Sequence, residues 1–367
     1  MNCSEPIRVA QIIGKMCAGG VEAVIFNYYR SLEHDKVQFD FFYDADSTVS
    51  PPEDLINQGA RFYKISPYQK IWRYMPELRR ILKENDYKIV HSHLNTLSIF
   101  PLFVAWTLHV PCRIAHNHSV PGGNEWKRNI IKSILKKFSK VFATDYFACS
   151  EKAGRWLFGN KCYESREVCI IRNAIDFTKF KINKNESDSL KGKLNIEEEV
   201  VYGHIGRFTY AKNHKKLLNI FKKIHLQNSN TKLILVGDGE LHKQICEHIT
   251  ELSLNDSVIC VGKVSNPEVY YSIIDVMIMP SHFEGFAMVA IEAQASGVPI
   301  VVSNAIPCEV VISDACSFMS LEDSDDSWAK VAENLYGKSV HLNKNSKEFN
   351  IKKCASELQS WYIEHLR

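Results

Sequence analysis

The sequence predicts an α/β protein with two doubly wound parallel sheets. Short segments rich in Val and Ile alternate with helix-length segments almost throughout, which is the pattern of βαβ units. The alternation occurs in two series, and a polar stretch at residues 181–193 interrupts it. A chain of 367 residues accommodates two domains of about 150 residues each. We therefore expect two doubly wound, Rossmann-like domains.

Each predicted strand is followed by a segment long enough for a helix. The first series covers residues 7–13, 37–43, 61–65, 88–93, 112–118 and 145–150, and the second covers 200–207, 232–237, 257–264, 276–280 and 299–303. Residues 347–367 carry apolar positions at helical spacing and predict a C-terminal helix. That helix could pack on its own domain or cross back to the first. The predicted boundaries are 1–175, 176–346 and 347–367.

The composition excludes several classes of protein. Hydrophobic residues make up 45% and charged residues 24%, which are values of a globular protein. The net charge is 45 − 42 = +3, which is too balanced for bulk nucleic-acid binding. The 11 cysteines form no C-x-x-C pair and predict reduced thiols in a cytoplasmic protein. The N-terminus lacks a signal-peptide pattern, and the apolar stretch at 97–111 predicts a buried helix rather than a membrane span.

Two strand-to-helix turns carry residue types that suit a phosphate. Gly19 and Gly20 follow the first strand, where a glycine pair allows close backbone approach to an anion at a helix start. An ordinary turn explains them equally well. In the second series, Arg207 ends a strand that we expect to be buried, so its charge needs an anionic partner. Lys212 follows at the mouth of the next helix, and two cations there suit a diphosphate. A surface cation and an ordinary turn are the alternative explanation.

Two carboxylates flank the start of a helix in the second series. Glu284 precedes the helix beside Gly285, and Glu292 lies inside it. Eight helical residues would place the two carboxylates about 12 Å apart, too far to flank one glycosidic bond. The spacing suits contacts with hydroxyls at two places on an extended ligand. An exposed helix face is the simpler explanation for Glu292.

Four histidines end two consecutive strands of the first series: His91, His93, His116 and His118. Ligands of open α/β sheets bind at the carboxyl ends of the strands. No carboxylate lies close by in sequence, so we favour polar or proton-handling groups over a metal site. Two D-x-D triplets, at 44–46 and 323–325, could hold a metal on a diphosphate, but both lie in polar sequence and predict solvated loops.

A basic amphipathic helix is predicted from Lys127 to Lys140. The segment holds six basic residues and no acidic ones, and its apolar residues fall on one helical face. This pattern is typical of a helix that lies on an anionic membrane surface. A helix packed on the core with a basic outer face has the same pattern.

The assembled motifs resemble the family 4 glycosyltransferases of the GT-B fold. The motifs, in chain order, are GGVE, AHNHS, RNAID, G-R-x4-K-N-H, VGDGE and E-x7-E. The likeness covers nearly the whole chain and is strongest to bacterial enzymes of capsule, exopolysaccharide and O-antigen assembly. One departure is Ala174, where the family has glycine in an Asn-Gly-Ile-Asp motif.

The resemblance implies a role for each matching residue. Arg207 and Lys212 would bind the donor diphosphate, and Glu292 would hold the ribose hydroxyls. Glu284 would bind the donor sugar together with the amides of Gly285, Phe286 and Ala287. Gly19 and Gly20 would close on the diphosphate, Lys263 and Val264 would contact the base, and His118 would be the active-site histidine, with His116 as the alternative.

The implied reaction is metal-independent, needs no cofactor and retains the configuration at the transferred hexose. The donor would be a nucleotide sugar, with UDP expected, that lies in an interdomain cleft mainly on the second domain. The acceptor would be a saccharide or lipid-linked saccharide. A sugar-nucleotide epimerase of the same fold and a non-catalytic binding protein are the alternatives. We expect a cytoplasmic protein with no nucleic-acid partner, peripheral to the membrane if the basic helix binds lipid.

Overall fold

The computed structural model describes residues 5–17, 19–119, 126–181, 183–264 and 266–366, and gives only the backbone of residues 126–130. Ala18 in the first glycine loop therefore lies outside the described residues. The chain divides into two compact units. The first unit comprises Met1–Ile175 together with Glu348–Arg367, and the second comprises Asp176–Lys347.

The strands follow the predicted order, and each unit holds one parallel sheet. In the first unit they are β1 Ile7–Gly14, β2 Val37–Asp44, β3 Arg61–Ile65, β4 Ile89–Ser92, β5 Cys112–Asn117, β6 Asp145–Ala148 and β7 Val168–Ile170. In the second unit they are β8 Val200–Ile205, β9 Thr231–Val236, β10 Val258–Gly262, β11 Val276–Met279, β12 Ile300–Ser303 and β13 Cys316–Met319.

The α-helices lie between these strands, apart from the last two helices, which follow the last strand. Those of the first unit are α1 Gly20–Arg30, α2 Glu53–Asn57, α3 Ile71–Glu84, α4 Ile99–Thr107, α5 Trp126–Lys136, α6 Glu151–Phe158 and α7 Asn160–Glu164. The second unit contains α8 Lys184–Lys193, α9 His214–Gln227, α10 His242–Glu251, α11 Glu268–Tyr271, α12 Met288–Ala295 and α13 Asp325–Leu335, and the last helix is α14 Ile351–Glu364.

Both sheets are doubly wound. The first has the strand order β3-β2-β1-β4-β5-β6-β7 and the second β10-β9-β8-β11-β12-β13. The order therefore reverses between β1 and β4 in one sheet and between β8 and β11 in the other. Such switch points leave a crevice at the carboxyl ends of the strands, where ligands of this fold class bind.

Alternation along the strands buries both faces of the first sheet. Val9 and Phe41 belong to one apolar cluster, whereas their sequence neighbours Ala10 and Phe42 belong to another. Successive side chains of a strand point to opposite faces, so a sheet covered on both sides needs apolar residues at nearly every position. This explains why the strands read as continuous apolar runs.

The C-terminal helix α14 belongs to the first unit. Its residues Ile351, Ala355, Leu358 and Tyr362 are buried in the apolar cluster that contains Val9. Ile175 forms a parallel bridge with Asn350 just before the helix. The helix thus crosses back to the first sheet, which was one of its two predicted positions.

Two predictions about local structure were inaccurate. The sequence reading missed β7 and β13, which have only three and four residues. The polar stretch that was predicted as a linker contains α8, whose first turn is capped by the Asn183 side chain. The prediction of a buried helix in the apolar stretch at 97–111 is confirmed, because α4 has nine residues there and buries Leu102, Val104 and Ala105. Within the described residues, no helix is both long and apolar enough to span a bilayer.

We predict that Leu358→Ala destabilises the first unit by about 2–5 kcal/mol, because it leaves a cavity in a packed core. Leu358 is 3% exposed and belongs to the cluster beneath α14. Urea denaturation measures the change, with the exposed Ser360→Ala on the same helix as the control. Equal stabilities of the two variants would contradict the packing of α14 on this core.

Candidate active site

Two neighbouring loops form the candidate site of the second unit. One loop, residues 206–213, follows β8, and the other, residues 280–287, follows β11. Because β8 and β11 are adjacent and parallel, their carboxyl ends bring the two loops together at the switch point. The predicted residues Arg207, Lys212 and Glu284 all lie in these loops.

Backbone and side-chain hydrogen bonds tie the two loops to each other. The His282 amide donates to the Ala211 carbonyl at 2.8 Å, and the Asn213 side-chain amide donates to the Pro280 carbonyl at 3.0 Å. The rings of Tyr210 and His282 stack with centroids 4.5 Å apart. Asn213 has φ +54° and caps α9, a left-handed conformation that Asn tolerates better than most residues.

An ion pair between Lys212 and Glu284 lies at the junction of these loops. Lys212 Nζ lies 2.6 Å from Glu284 Oε1, and the two side chains are 15% and 11% exposed. The Ser281 hydroxyl donates to the same oxygen at 2.9 Å. The Lys212 side chain passes over Gly206, where an added Cβ would lie 3.1 Å from Lys212 Cε. The structure thus brings the predicted cation and the predicted carboxylate into direct contact.

Arg207 is placed differently from the prediction. It follows the end of β8 and is exposed, so the argument that a buried charge requires an anionic partner is wrong. Arg207 remains in the same loop as Lys212. An exposed guanidinium at a strand end can still bind an incoming phosphate without losing an existing partner.

The segment around Glu284 is a loop that leads into α12. The helix begins at Met288, so the helical rise assumed between Glu284 and Glu292 is wrong. Ala287 precedes it with φ +56°, a strained left-handed conformation for alanine. Phe286 and Ala287 are buried, and Gly285 is half-buried.

Glu292 is held by a tyrosine that the sequence reading did not identify. The Tyr271 hydroxyl donates to Glu292 Oε2 at 2.7 Å. Burial raises the pKa of the Glu292 carboxyl above its ordinary value, and the bond from Tyr271 opposes that shift. Glu292 is half-buried, so the interpretation as an exposed-face residue is wrong. Its oxygen Oε1 has no hydrogen-bond partner in the described part of the chain.

Two glycines after β9 allow the β8 loop to approach closely. Gly237 has φ +139°, and a Cβ there would collide with the Gly206 carbonyl. A Cβ on Gly239 would lie 2.5 Å from the Phe208 carbonyl oxygen. These contacts explain the Gly-Asp-Gly sequence in physical terms. Lys263 and Val264 follow the edge strand β10 and are exposed and half-buried, respectively.

A separate cavity of the second unit has a volume of about 410 Å³. It lies beside α9 and α10 and is bordered by Tyr210, Asn213 and His282. Its lining contains none of the residues predicted to bind the donor. The site at the switch point is therefore defined by its loops rather than by this cavity.

In the first unit, the Glu22 carboxylate lies against the loop that contains Gly19. Glu22 is buried, and its Oε1 accepts a hydrogen bond from the Cys17 amide at 2.7 Å. A Cβ on Gly19 would lie 2.7 Å from Glu22 Oε2, whereas one on Gly20 would meet nothing within 4 Å. A side chain at position 19 would therefore displace the Glu22 carboxylate, an explanation for the glycine additional to the two considered from sequence.

The four histidines of the first unit form one buried cluster at the ends of β4 and β5. His91 Nε2 lies 3.0 Å from His116 Nδ1, and His93 Nδ1 lies 2.8 Å from His118 Nε2. Burial lowers the pKa of His118 to about 3, and the pKa values of the other three also lie well below the ordinary value, chiefly because of burial. Ring nitrogens of His91, His93 and His116 lie within 4.8 Å of one another, so a metal ion is a geometric alternative there.

The first D-x-D triplet is not a solvated loop. Asp44 ends β2, is 2% exposed, and has a pKa raised to about 7, chiefly by burial. Asp46 is exposed and pairs with Lys15 at 2.8 Å. In the second triplet, Asp325 pairs with Lys216 at 3.1 Å.

Two further histidines lie beside Lys212. Burial, aided by the Lys212 charge, lowers the pKa of His204 to about 4, and burial lowers that of His214 to about 2. Their rings lie 4.9 Å apart. Both side chains therefore stay neutral in the folded protein at pH values where the unfolded chain binds protons.

We predict that acidification destabilises the second unit. As the pH falls from 7 to 5, the unfolded chain gains protons at His204 and His214 that the folded unit does not bind. Each histidine then costs about 2 kcal/mol of stability. His214→Phe should reduce the pH-dependent loss by that amount in urea denaturation at both pH values. The exposed His341→Gln is the control, and an unchanged loss in His214→Phe would contradict the assignment.

Comparison with known proteins identifies the family. Residues 18–179 match the family described as Glycosyltransferase Family 4, and residues 186–349 match Glycosyl transferases group 1. The chain is 30% identical over 337 residues to EpsF of Bacillus subtilis (strain 168), named as a glycosyltransferase, covering 90% of this chain and 88% of EpsF. It is 25% identical over 367 residues to the capsular polysaccharide biosynthesis glycosyltransferase CapH of Staphylococcus aureus, covering 97% and 99%.

A solved structure shows the same fold. HepE of Anabaena, crystallised in complex with UDP-glucose, matches with a TM-score of 0.77 and 15% identity, covering 98% of this chain and 100% of HepE. Fold and relatives together define a glycosyltransferase of the GT-B class. The chain belongs to the family 4 glycosyltransferases, among the enzymes of bacterial capsule and exopolysaccharide assembly.

Proposed function

We propose that this glycosyltransferase moves a hexose from a UDP-linked donor to a saccharide or lipid-linked saccharide, with retention of configuration. The observation that carries the proposal is the Lys212–Glu284 ion pair between the two loops of the second switch point. The UDP-glucose bound by HepE, a protein of the same fold, supports the choice of donor.

Lys212 and Arg207 act on the leaving group. Departure of the sugar leaves negative charge on the diphosphate, which nearby cations stabilise in the transition state. An ammonium has three hydrogen-bond donors, so Lys212 can keep Glu284 and still donate to phosphate oxygens. Arg207 adds a planar guanidinium that can bind the diphosphate through two hydrogen bonds.

Glu284 and Glu292 hold hydroxyl groups of the donor. The described residues engage Glu284 only through Oε1, which leaves Oε2 to accept a hydrogen bond from the sugar. The amides of Gly285, Phe286 and Ala287 supply donors for the other side of the sugar. Glu292, with Oε2 fixed by Tyr271, accepts from the ribose through Oε1. Lys263 and Val264 contact the base.

The transfer step proceeds on one face of the sugar. The bond between the anomeric carbon and the diphosphate oxygen breaks, and the acceptor oxygen forms a bond to the same carbon from the same side. The acceptor proton passes to the departing phosphate oxygen, so the step needs no protein nucleophile. In the first unit, His118 contacts the donor sugar, with His116 as the alternative, and Gly19 and Gly20 contact the diphosphate. We propose that the reaction requires no metal ion or other cofactor.

We predict that Lys212→Met, Arg207→Met and Glu284→Gln each lower sugar transfer by about 10²–10³, because each removes a contact to the donor. The measurement is UDP release from UDP-sugars in the presence of acceptor, and nuclear magnetic resonance of the product gives its anomeric configuration. The exposed Lys215→Met is the matched control.

Three results would contradict the proposed function. Unchanged turnover in all three variants would remove the site assignment. Conversion of the donor without acceptor would indicate an epimerase. No thermal stabilisation by any nucleotide sugar would indicate a different ligand, since a donor at one hundred times its Kd adds about 2.7 kcal/mol.

We also propose that the end of α5 docks on an anionic membrane. Most of the described apolar side chains from Ile131 to Val141 are exposed and do not pack on the core, whereas Leu135 is half-buried. Ile131, Ile134 and Phe138 are 58%, 54% and 47% exposed, and Val141 just beyond them is 58% exposed. Lys127 and Arg128 lie among the residues whose side chains are not described.

The surroundings of these side chains suit a bilayer surface. Trp106 is 49% exposed, and its ring lies 5.5 Å from that of Phe142, next to Val141. Lys137 and Lys140 are exposed on the same segment. An aromatic and aliphatic surface bordered by lysines binds the headgroup region of anionic lipid.

We predict that Ile134→Asp with Phe138→Asp lowers binding to phosphatidylglycerol vesicles at least about tenfold, because two apolar side chains no longer enter the bilayer. Vesicle co-sedimentation measures binding, and added salt should weaken it. Leu226→Asp, at a 68% exposed site of the second unit, is the control. Equal binding of the double variant and the control would contradict the proposal.

A further inference from the structure

The four histidines of the first unit belong to a longer chain of hydrogen bonds. His93 Nε2 lies 2.7 Å from Gln11 Oε1, and the Gln11 amide nitrogen donates to the Tyr362 hydroxyl at 3.2 Å. Tyr362 in turn lies 2.6 Å from His91 Nδ1. With the two histidine pairs, the order along the chain is His118, His93, Gln11, Tyr362, His91, His116.

The orientation of the Gln11 side-chain amide fixes which group donates each hydrogen bond from Gln11 through His93 to His118. Its oxygen can only accept, so His93 donates from Nε2. A neutral imidazole has one donor and one acceptor, so His93 Nδ1 accepts and His118 donates from Nε2. His118 Nδ1 is then a lone-pair acceptor. It is buried and has no partner among the described residues.

The donors and acceptors of the hydrogen bonds from Gln11 through Tyr362 and His91 to His116 follow in the same way. Tyr362 accepts from the Gln11 amide nitrogen and donates to His91 Nδ1. His91 then donates from Nε2 to His116 Nδ1, which leaves an N–H at His116 Nε2. This nitrogen is also buried without a partner in the described part of the chain. The two ends of the chain are therefore an acceptor at His118 and a donor at His116.

The surroundings keep this chain neutral and closely packed. All four imidazoles are buried, and burial lowers each pKa well below the ordinary value. The rings border a cavity of about 20 Å³, enough for about one water molecule. A divalent cation at His91, His93 and His116 would require the nitrogen lone pairs and disrupt the bond between His91 and His116. The arrangement favours hydrogen bonding over a metal site.

We propose that Gln11 and His93 are positioning residues that hold His118 as a hydrogen-bond acceptor for a hydroxyl of the donor sugar. The inference rests on the proposed function, in which His118 contacts that sugar. It adds the tautomer of His118, the residues that fix it, and the nitrogen that binds. A buried acceptor without a partner is costly, and a sugar hydroxyl would satisfy it.

The direct test is nuclear magnetic resonance of the full chain labelled with ¹⁵N-histidine. We expect His118 to carry its proton on Nε2 and to stay neutral at pH 6, and His118→Gln assigns the signal. Gln11→Met removes the amide oxygen that makes His93 donate from Nε2. His93 then no longer fixes the proton of His118, which should become a mixture of tautomers. A proton on His118 Nδ1 in the unmodified protein, or titration near pH 6.5, would overturn the proposal. So would stoichiometric zinc in the purified protein.

The kinetic test separates positioning from a merely structural role. His93→Phe keeps the ring volume but removes the acceptor for His118, and we expect turnover of the UDP-sugar to fall about tenfold. The Kd for UDP, which lacks the sugar, should stay within about twofold. Ser92→Ala is the matched control, because Ser92 ends β4 beside His93 and loses a buried hydrogen bond to Ser98, which is not part of the histidine hydrogen-bond chain.

The outcomes distinguish this inference from the proposed function. Equal turnover of His93→Phe and Ser92→Ala would overturn the positioning role and leave the glycosyltransferase assignment intact. An equal loss of UDP and UDP-sugar binding in His93→Phe would indicate a structural role and also overturn it. Absence of UDP-sugar transfer by the unmodified protein would remove the proposed function, whereas the tautomer measurement would still report on the hydrogen-bond chain.

Discussion

The Lys212–Glu284 ion pair is the interaction on which the candidate site of the second unit depends. It joins the loops after β8 and β11, where the strand order reverses, and both partners are largely withdrawn from water. Losing one partner would leave the other charge poorly solvated, which is far more costly than losing an exposed pair. The bonds from Asn213 and His282 hold the two loops together, so the charged groups are already oriented, as the proposed binding of a donor diphosphate requires.

In the first unit, the polar groups at the switch point are neutral rather than charged. Its switch point lies between β1 and β4. Gln11 lies on β1 opposite His91 of β4, and His93 follows the end of β4. Burial keeps these imidazoles uncharged. The orientation of each ring is therefore fixed by which nitrogen donates and which accepts a hydrogen bond, and not by attraction between charges. Tyr362 of α14 completes the hydrogen-bond chain, so the C-terminal helix contributes to this chain as well as to the core.

Sequence periodicity was sufficient for the α/β class, the parallel sheets and the loops that carry Lys212 and Glu284, because these depend on local patterns. It was insufficient for β7 and β13, whose few residues give no clear period. Sequence periodicity also could not predict contacts between residues that lie far apart in the sequence. Tyr271 lies 21 positions from Glu292, and Tyr362 lies 351 positions from Gln11, so only the fold brings these pairs together. The burial of Arg207 was misjudged because β8 ends at Ile205, before the arginine.

The central claim is that Lys212 binds the β-phosphate of the donor nucleotide. Calorimetric titration of UDP and UMP into the unmodified protein and Lys212→Met tests it most directly, because the two nucleotides differ only in that phosphate. We expect the unmodified protein to prefer UDP by about tenfold or more, as one charge-assisted contact supplies, and the variant to lose that preference while binding UMP as before. An unchanged ratio of the two affinities in Lys212→Met would contradict the account.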